Sequence, residues 1–203
     1  RQKGTSLDLT ICFKVFKNRA FRKASFGYFG HMWELYTFWA FVPILLKTYS
    51  DMYAKVQFNI PLLSFFIIGI GSISCVLGSY LAAKFGTKRT AFSVLLLSCI
   101  CCLVSPLFFL VSNGTIFLLF LLFWGIVVIA DSPLFSTLVA QNAPETDKGT
   151  AITIVNCIGF SITILSIQLI STLFHSTSST FVFLILAFGP ILGLISLRSK
   201  RVF

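Results

Sequence analysis

Six apolar stretches, each long enough for a membrane-crossing helix, constrain this chain more than any other feature. A hydrocarbon core about 30 Å thick needs about 20 apolar residues in a helix. The stretches are 24–46, 60–83, 91–111, 115–139, 149–173 and 180–197. Runs such as IFLLFLLFWGIVVIA (116–130) do not alternate as the strands of a membrane β-barrel do. The sequence therefore predicts an all-α membrane protein with six transmembrane helices.

The composition excludes an ordinary water-soluble protein. Hydrophobic residues make up 57% of the chain, charged residues only 11%, and the mean hydropathy is +0.94. A soluble protein of this composition would have an insoluble surface. The bilayer is therefore the expected surroundings of the chain.

Basic residues predict the orientation of the spans. Of the 16 Lys and Arg residues, only Lys47 and Lys55 fall on one side, and the other fourteen fall on the opposite side. Because loops rich in Lys and Arg stay in the cytoplasm, both termini are predicted to be cytoplasmic. The net charge of +10 is therefore explained by the placement of Lys and Arg on the cytoplasmic side. For this reason we expect no nucleic-acid partner.

Residues 1–23 form a basic lead-in before the predicted six-span bundle of 24–203. Leu9, Cys12, Phe13 and Phe16 share one helical face opposite Lys14 and Lys17. This pattern predicts a helix lying on the cytoplasmic interface. A solvated linker is the open alternative.

Two acids, Glu34 and Asp131, lie deep in the predicted spans. At about 1.5 Å of rise per residue, each carboxylate lies about 13–14 Å from the cytoplasmic end of its helix. This depth is near the bilayer midplane, where an ionised carboxylate costs at least about 2.5 kcal/mol. We therefore expect each acid to face a cavity, find a partner or take up a proton.

The first span carries Glu34 in a stripe of small and polar residues. The stripe consists of Gly27, Gly30, His31, Glu34 and Thr37, which recur at three- and four-residue steps. Its polarity predicts that it faces a cavity, and Trp33 on the other side of the helix is a further cavity candidate. His31 and Glu34 are close enough in sequence to interact. A static hydrogen-bonded pair that locks helix packing is the alternative.

Asp131 begins the sequence DSP in the fourth span. Pro133 has no backbone N–H, so it frees the carbonyl of Ile129 and can bend the helix. Trp124 shares the helical face of Asp131. An acid beside such a break can bind an ion, relay a proton or satisfy local donors.

Milder polar patterns occur in two other spans. The fifth span has a row of Thr153, Asn156 and Thr163, in which Asn156 is the best candidate for contacting a substrate, although such residues often only join helices. The second span has Gly71, Cys75, Gly78 and Ser79 on one face. That face predicts close helix packing and no chemical role for its residues.

No pattern in the chain indicates an enzyme, a metal site or a cofactor. The cysteines lack metal-type spacing with histidine. The chain contains neither a GxxxxGK[ST] phosphate loop nor an HExxH sequence. We therefore predict no ATP-driven transport by this chain and no catalysis.

Two connecting loops carry motifs, SYLAAKFGTKR (79–89) after the second span and PETDKGTA (144–151) after the fourth. The first resembles the loop signature of glycine, acid and basic residues of the major facilitator superfamily, and the second is similar to its proline–basic–glycine–small loop. With the six-span layout, they resemble the carboxy-terminal half of such a transporter. The matching loop residues are Gly86, Lys88, Arg89, Lys148 and Gly149. Ala83 stands where the signature has its acid. GYFGHMWELYTFWAF (27–41) and ADSPLFSTLVAQNAP (130–144) look like a bacterial permease branch.

The resemblance implies a fold of two inverted three-helix repeats. Substrate sites in such proteins lie near the midplane between two halves. The first and fourth spans would then line the cavity, so that Glu34, Asp131, His31, Trp124 and Thr37 face it. The third and sixth spans would face lipid or support the others.

The leading hypothesis is half of a secondary transporter that moves a small polar solute by alternating access, with proton coupling, in a bacterial inner membrane. A uniporter, an exchanger of anions and sodium coupling are alternatives within the transporter class. The alternative from another class is a non-transporting sensor or partner subunit with structural buried acids. Since six spans make one wall of a cavity, we expect a missing amino-terminal half, or else a parallel homodimer. The missing initiator methionine and the long lead-in favour the missing half.

Overall fold

The computed structural model describes residues 14–177 and 179–198. The predicted interfacial face at Leu9, Cys12 and Phe13 lies outside these residues. Within the lead-in, Val15 is buried and Asn18 caps the first helix, because its side chain accepts hydrogen bonds from the backbone N–H groups of Ala20 and Phe21.

The described chain is all-helical, and it contains no β-strand. This confirms the predicted fold class at the level of secondary structure. The helices are α1 (Arg19–Met52), α2 (Ile60–Phe85), α3 (Thr87–Phe109), α4 (Gly114–Ala130), α5 (Ser132–Asn142), α6 (Lys148–Thr177) and α7 (Phe188–Arg198). Short 3₁₀ segments precede α6 at Glu145–Asp147 and α7 at Thr180–Ala187.

Five helical segments of the described chain are long and apolar enough to cross a membrane. They are Ile60–Phe85, Thr87–Phe109, Gly114–Asn142, Glu145–Thr177 and Thr180–Arg198. The first helix, α1, has 34 residues but is not among them. Its polar and amphipathic side chains, His31 and Glu34 included, lower its hydropathy. His31 and Glu34 are tolerated because both are buried against the other helices.

Local sequence explains where the helices begin. Asn59 and Asn113 cap α2 and α4 as Asn18 caps α1, by accepting hydrogen bonds from backbone N–H groups in the first turn. Gly86 separates α2 from α3 with a φ of 91°, a conformation that favours glycine. This turn lets two long helices follow each other with one residue between them.

The two helices that hold the deep acids pack against different neighbours. The first helix, α1, packs most extensively against α6 and α7, whereas α4 packs against α2 and α3. Ser196 on α7 donates a hydrogen bond to the carbonyl of Lys23 on α1 at 3.0 Å. The start of the first helix and the end of the last one therefore lie together, at one end of the bundle.

Glycines allow the closest helix contacts. A Cβ on Gly30 would overlap the carbonyl oxygen of Gly189, and a Cβ on Gly189 would lie 2.5 Å from the carbonyl oxygen of Gly30. Between α2 and α4, a Cβ on Gly71 would overlap Ile129, and one on Gly78 would overlap the carbonyl oxygen of Ala130. The predicted packing face of the second span is confirmed at Gly71 and Gly78. Ser79 is exposed and bonds to its own helix.

The fourth span is broken at Asp131, between α4 and α5. Pro133 stands in the first turn of α5, as the sequence predicts for a break. The carbonyl of Ile129 accepts a contact from the thiol of Cys75 on α2, with the sulfur 3.7 Å away. The backbone N–H of Asp131 at the end of α4 is also directed at this carbonyl, so Ile129 is contacted both from its own segment and from α2.

Candidate functional site

Glu34 is held by three donors from two other helices. Its Oε1 accepts hydrogen bonds from Ser98 Oγ at 2.5 Å, Trp124 Nε1 at 2.8 Å and Cys102 Sγ at 3.1 Å. The Glu34 residue is 1% exposed and Trp124 is fully buried. Because Ser98 and Cys102 lie one turn apart on α3, Glu34 joins α1 to both α3 and α4.

His31 contacts Asp131 instead of Glu34. Its Nδ1 lies 2.9 Å from Oδ1 of Asp131, and both side chains are 1% exposed. The contact has the distance of an ion pair, but neither Asp131 oxygen has a well-aligned hydrogen bond. Nε2 of His31 also has no hydrogen-bond partner among the described residues. The predicted His31–Glu34 interaction is therefore replaced by two separate contacts, one for each acid.

Sequence position explains why neighbouring side chains of α1 reach different partners. His31 lies against α5, where its ring stacks on Phe135 with 5.8 Å between ring centroids. Glu34, three residues later, lies between α3 and α4. Asp131 thus meets α1 at His31, three residues and roughly 4.5 Å of helix rise before Glu34.

Thr37 continues the polar line on α1 toward α6. Its hydroxyl shares a hydrogen bond of 2.5 Å with the hydroxyl of Ser166, and both residues are fully buried. Thr163 donates to the carbonyl of Met32 at 3.1 Å. These bonds fasten α6 to α1 inside the bundle.

The stripe on the first span packs inside the bundle. Gly27 and Gly30 pack against Phe135 and α7, while His31, Glu34 and Thr37 contact α3 to α6 as described above. Small and polar residues recur on a face buried against protein as well as on one that lines water, so the pattern alone does not distinguish the two.

The remaining candidates on the spans lie away from the acids. Asn156 on α6 is exposed. Trp33 is partly buried, and its Nε1 donates to the carbonyl of Ile185 at 3.2 Å. Neither residue contacts Glu34 or Asp131 through a hydrogen bond among those that the structure describes.

The loop candidates lie at the end of the bundle where α1 begins. Gly86 is the positive-φ residue before α3, and Lys88 and Arg89 are in the first turn of that helix. Lys148 pairs with Glu145 at 3.6 Å, and Gly149 is exposed in the first turn of α6. We call the end formed by these residues and the start of α1 the basic end.

Comparison with protein families identifies the superfamily of the chain. The family model for the Major Facilitator Superfamily matches residues 2–167. The chain belongs to this superfamily. The match covers the polar residues of α1, the broken fourth span and both loops, and it ends within α6. Among curated proteins, no sequence matches the chain.

Membership in the major facilitator superfamily makes this a multi-pass membrane protein of a transporter family. The long apolar helices agree with that conclusion, because their outward side chains are large and hydrophobic. Examples are Phe65 and Val76 on α2 and Leu107 on α3, which are exposed by 60–70%. Such surfaces need lipid or further protein around them.

Sequence reasoning missed the partners of Glu34 on the third span. Ser98, Cys102 and Ser105 recur at four and three residues, opposite exposed leucines such as Leu96 and Leu103. This amphipathic pattern in an otherwise apolar span could have shown that one face of α3 contacts a polar group. It was hidden because serine and cysteine are common small residues in membrane helices.

Proposed function

We propose that this chain is half of a secondary transporter that moves a small polar solute by alternating access and is coupled to protons. The buried contact between His31 and Asp131 carries the proposal. Two titratable side chains meet inside the bundle, with an oxygen of Asp131 and Nε2 of His31 lacking partners. Buried ionisable groups in membrane helices mark proton or substrate pathways.

The helix break gives this pair a route to conformational change. Asp131 is the residue at which α4 ends and α5 begins. A change in the protonation of Asp131 alters its contact with His31, and this favours a different packing of α5 against α1. A proton could thereby shift the equilibrium between two states of the bundle.

Glu34 has a different place in the proposal. Its Oε1 is satisfied by Ser98, Cys102 and Trp124, so a structural role in holding α1 to α3 and α4 is favoured by the geometry. We propose that Asp131 and His31 carry the proton and that Glu34 fixes the position of α1 along α3 and α4. The Glu34→Gln variant described below tests whether Glu34 also takes part in proton coupling.

The solute would meet the exposed polar face of α6 and the adjoining aromatic side chains of α1. Asn156 is exposed on α6, and Phe160 one turn later packs on Tyr36 of α1 at 5.7 Å between ring centroids. A second six-helix half, or a second copy of this chain, would complete the cavity. The predicted cytoplasmic termini and bacterial inner membrane belong to the same proposal.

The test is solute-driven proton movement in vesicles that contain the complete protein. A pH-sensitive dye is trapped inside, and sugars, amino acids and small carboxylates are added one at a time. We expect at least one solute to move protons, and Asp131→Asn to abolish that movement. Asp51→Asn, which changes an exposed acid paired with Lys47 in the same way, should retain it.

Glu34→Gln is compared with Asp131→Asn, because both variants neutralise an acid buried inside the bundle. Glutamine keeps an acceptor oxygen for the three donors, so the variant should fold and retain most of the proton movement. Unchanged proton movement in both Asp131→Asn and Glu34→Gln would contradict a carboxylate mechanism. It would favour the alternative of a protein with purely structural buried acids.

A further inference from the structure

A groove with three cationic residues lies at the basic end, between the start of α3 and the end of α7. Its volume is about 470 Å³, and it is lined by Lys88, Arg89, Phe92, Ser93, Leu197 and Arg198. We call it the basic groove. No acidic side chain is among these lining residues. Arg89 and Arg198 form no ion pair with the described residues.

Further positive charge surrounds the basic groove. Lys23 precedes the predicted first span and is 8% exposed, and its carbonyl accepts the hydrogen bond from Ser196 on α7. Desolvation, followed by the charges of Arg19, Lys88 and Arg22, lowers the pKa of Lys23. The positive potential of the basic end therefore extends from the groove to the start of α1.

The walls of the groove continue as apolar helix faces. Below its opening, Leu95 of α3 packs against Gly193 of α7, so the two helices lie side by side. Leu96 on α3 and Ile195 on α7 are exposed by 41% and 64%. A ligand seated here would meet cations at its head and hydrocarbon side chains along its tail.

We propose that the basic groove binds the phosphate headgroup of an anionic phospholipid, with the acyl chains against α3 and α7. Arg89 and Arg198 present planar guanidinium groups, which suit phosphate oxygens geometrically. The groove lies at the level where a cytoplasmic leaflet would place its headgroups if the predicted orientation holds. This proposal concerns lipid recognition, and it does not depend on which residues carry protons.

A lipid-retention measurement tests the proposal. The complete protein is purified in detergent micelles that contain equal amounts of phosphatidylglycerol and phosphatidylcholine, and retained lipid is counted by native mass spectrometry. We expect preferential retention of phosphatidylglycerol. Arg89→Gln combined with Arg198→Gln should weaken that retention by about tenfold or more, since each basic residue near an anionic surface contributes about 1 kcal/mol.

Two control variants separate this site from the general effect of charge. Lys47→Gln combined with Lys55→Gln removes the same charge at the opposite end and should retain the lipid preference. Arg89→Lys combined with Arg198→Lys keeps the charge and should retain part of it, which also guards against a folding defect in the glutamine variant. Equal losses in the two glutamine variants would overturn the proposal.

Inorganic phosphate distinguishes a lipid from a free anion. A lipid that is held by headgroup and tail together should stay bound when inorganic phosphate is added at millimolar concentration. Displacement of phosphatidylglycerol by phosphate alone would show a site for free phosphate and would contradict lipid binding. Equal retention of the two lipids by the unmodified protein would contradict it as well.

Discussion

At the scale of single residues, the two buried acids differ in how their oxygens are satisfied. Glu34 accepts three hydrogen bonds on one oxygen, whereas Asp131 has one close contact with His31 and no well-aligned hydrogen bond. A buried polar group without hydrogen bonds is costly, and ionisable groups of this kind in membrane helices mark functional sites. This difference is why we assign the proton to Asp131 and the packing role to Glu34.

Ser98→Ala tests the packing role. The substitution removes a donor from a buried acid, and loss of such a bond costs about 1–3 kcal/mol. We expect the midpoint of thermal unfolding in detergent to fall by about 5 °C. Ser105→Ala is the matched control, because Ser105 is equally buried on the same helix but donates only to the carbonyl of Cys102. Equal shifts in the two variants would contradict a special role for the bond to Glu34.

At the scale of helices, glycines determine which pairs approach most closely. Gly189 and Gly193 form a GxxxG sequence on α7, and Gly189 lies directly against Gly30 on α1. Such small residues let helix backbones come together in a membrane, where van der Waals packing drives association. The crossing of α1 and α7 in turn positions the start of α1 beside the basic groove.

Gly189→Ala tests this crossing. The new Cβ would collide with the backbone of Gly30 and with Trp33, and overpacking of this kind costs about 1–3 kcal/mol. We expect a clear fall in thermal stability in detergent. Gly69→Ala on α2 meets open space, so it should leave stability unchanged or raise it slightly through helix propensity. A stable Gly189→Ala protein would contradict the close contact.

The sequence predicts the elements better than it predicts the partners of side chains. Apolar length predicts the five described segments that are long and apolar enough to cross a membrane, and Pro133 predicts the break, because both effects act within one segment. The partners of His31 and Glu34 depend on how α1 lies between α3, α4 and α5, which no local pattern specifies. The spacing of three residues predicts a contact between His31 and Glu34. In the structure, each of the two side chains instead contacts a residue outside α1.

For the whole molecule, we propose that the basic end faces the cytoplasm. Lys55 lies in the connection between α1 and α2, and Glu145 in the connection before α6, at opposite ends of the bundle. We expect Lys55→Cys to react with a membrane-impermeant maleimide on intact cells. Glu145→Cys should react only after permeabilisation, with the exposed Cys157 replaced by serine in both cases. The reverse pattern would contradict the predicted orientation.

We propose that Asp131 exchanges a proton inside the bundle. Infrared difference spectroscopy of the complete protein in lipid, between acidic and alkaline buffer, measures this directly because a protonated carboxyl group in apolar surroundings has its own C=O band. We predict such a band that Asp131→Asn removes and that Asp51→Asn leaves in place. A spectrum unchanged by Asp131→Asn would contradict the account.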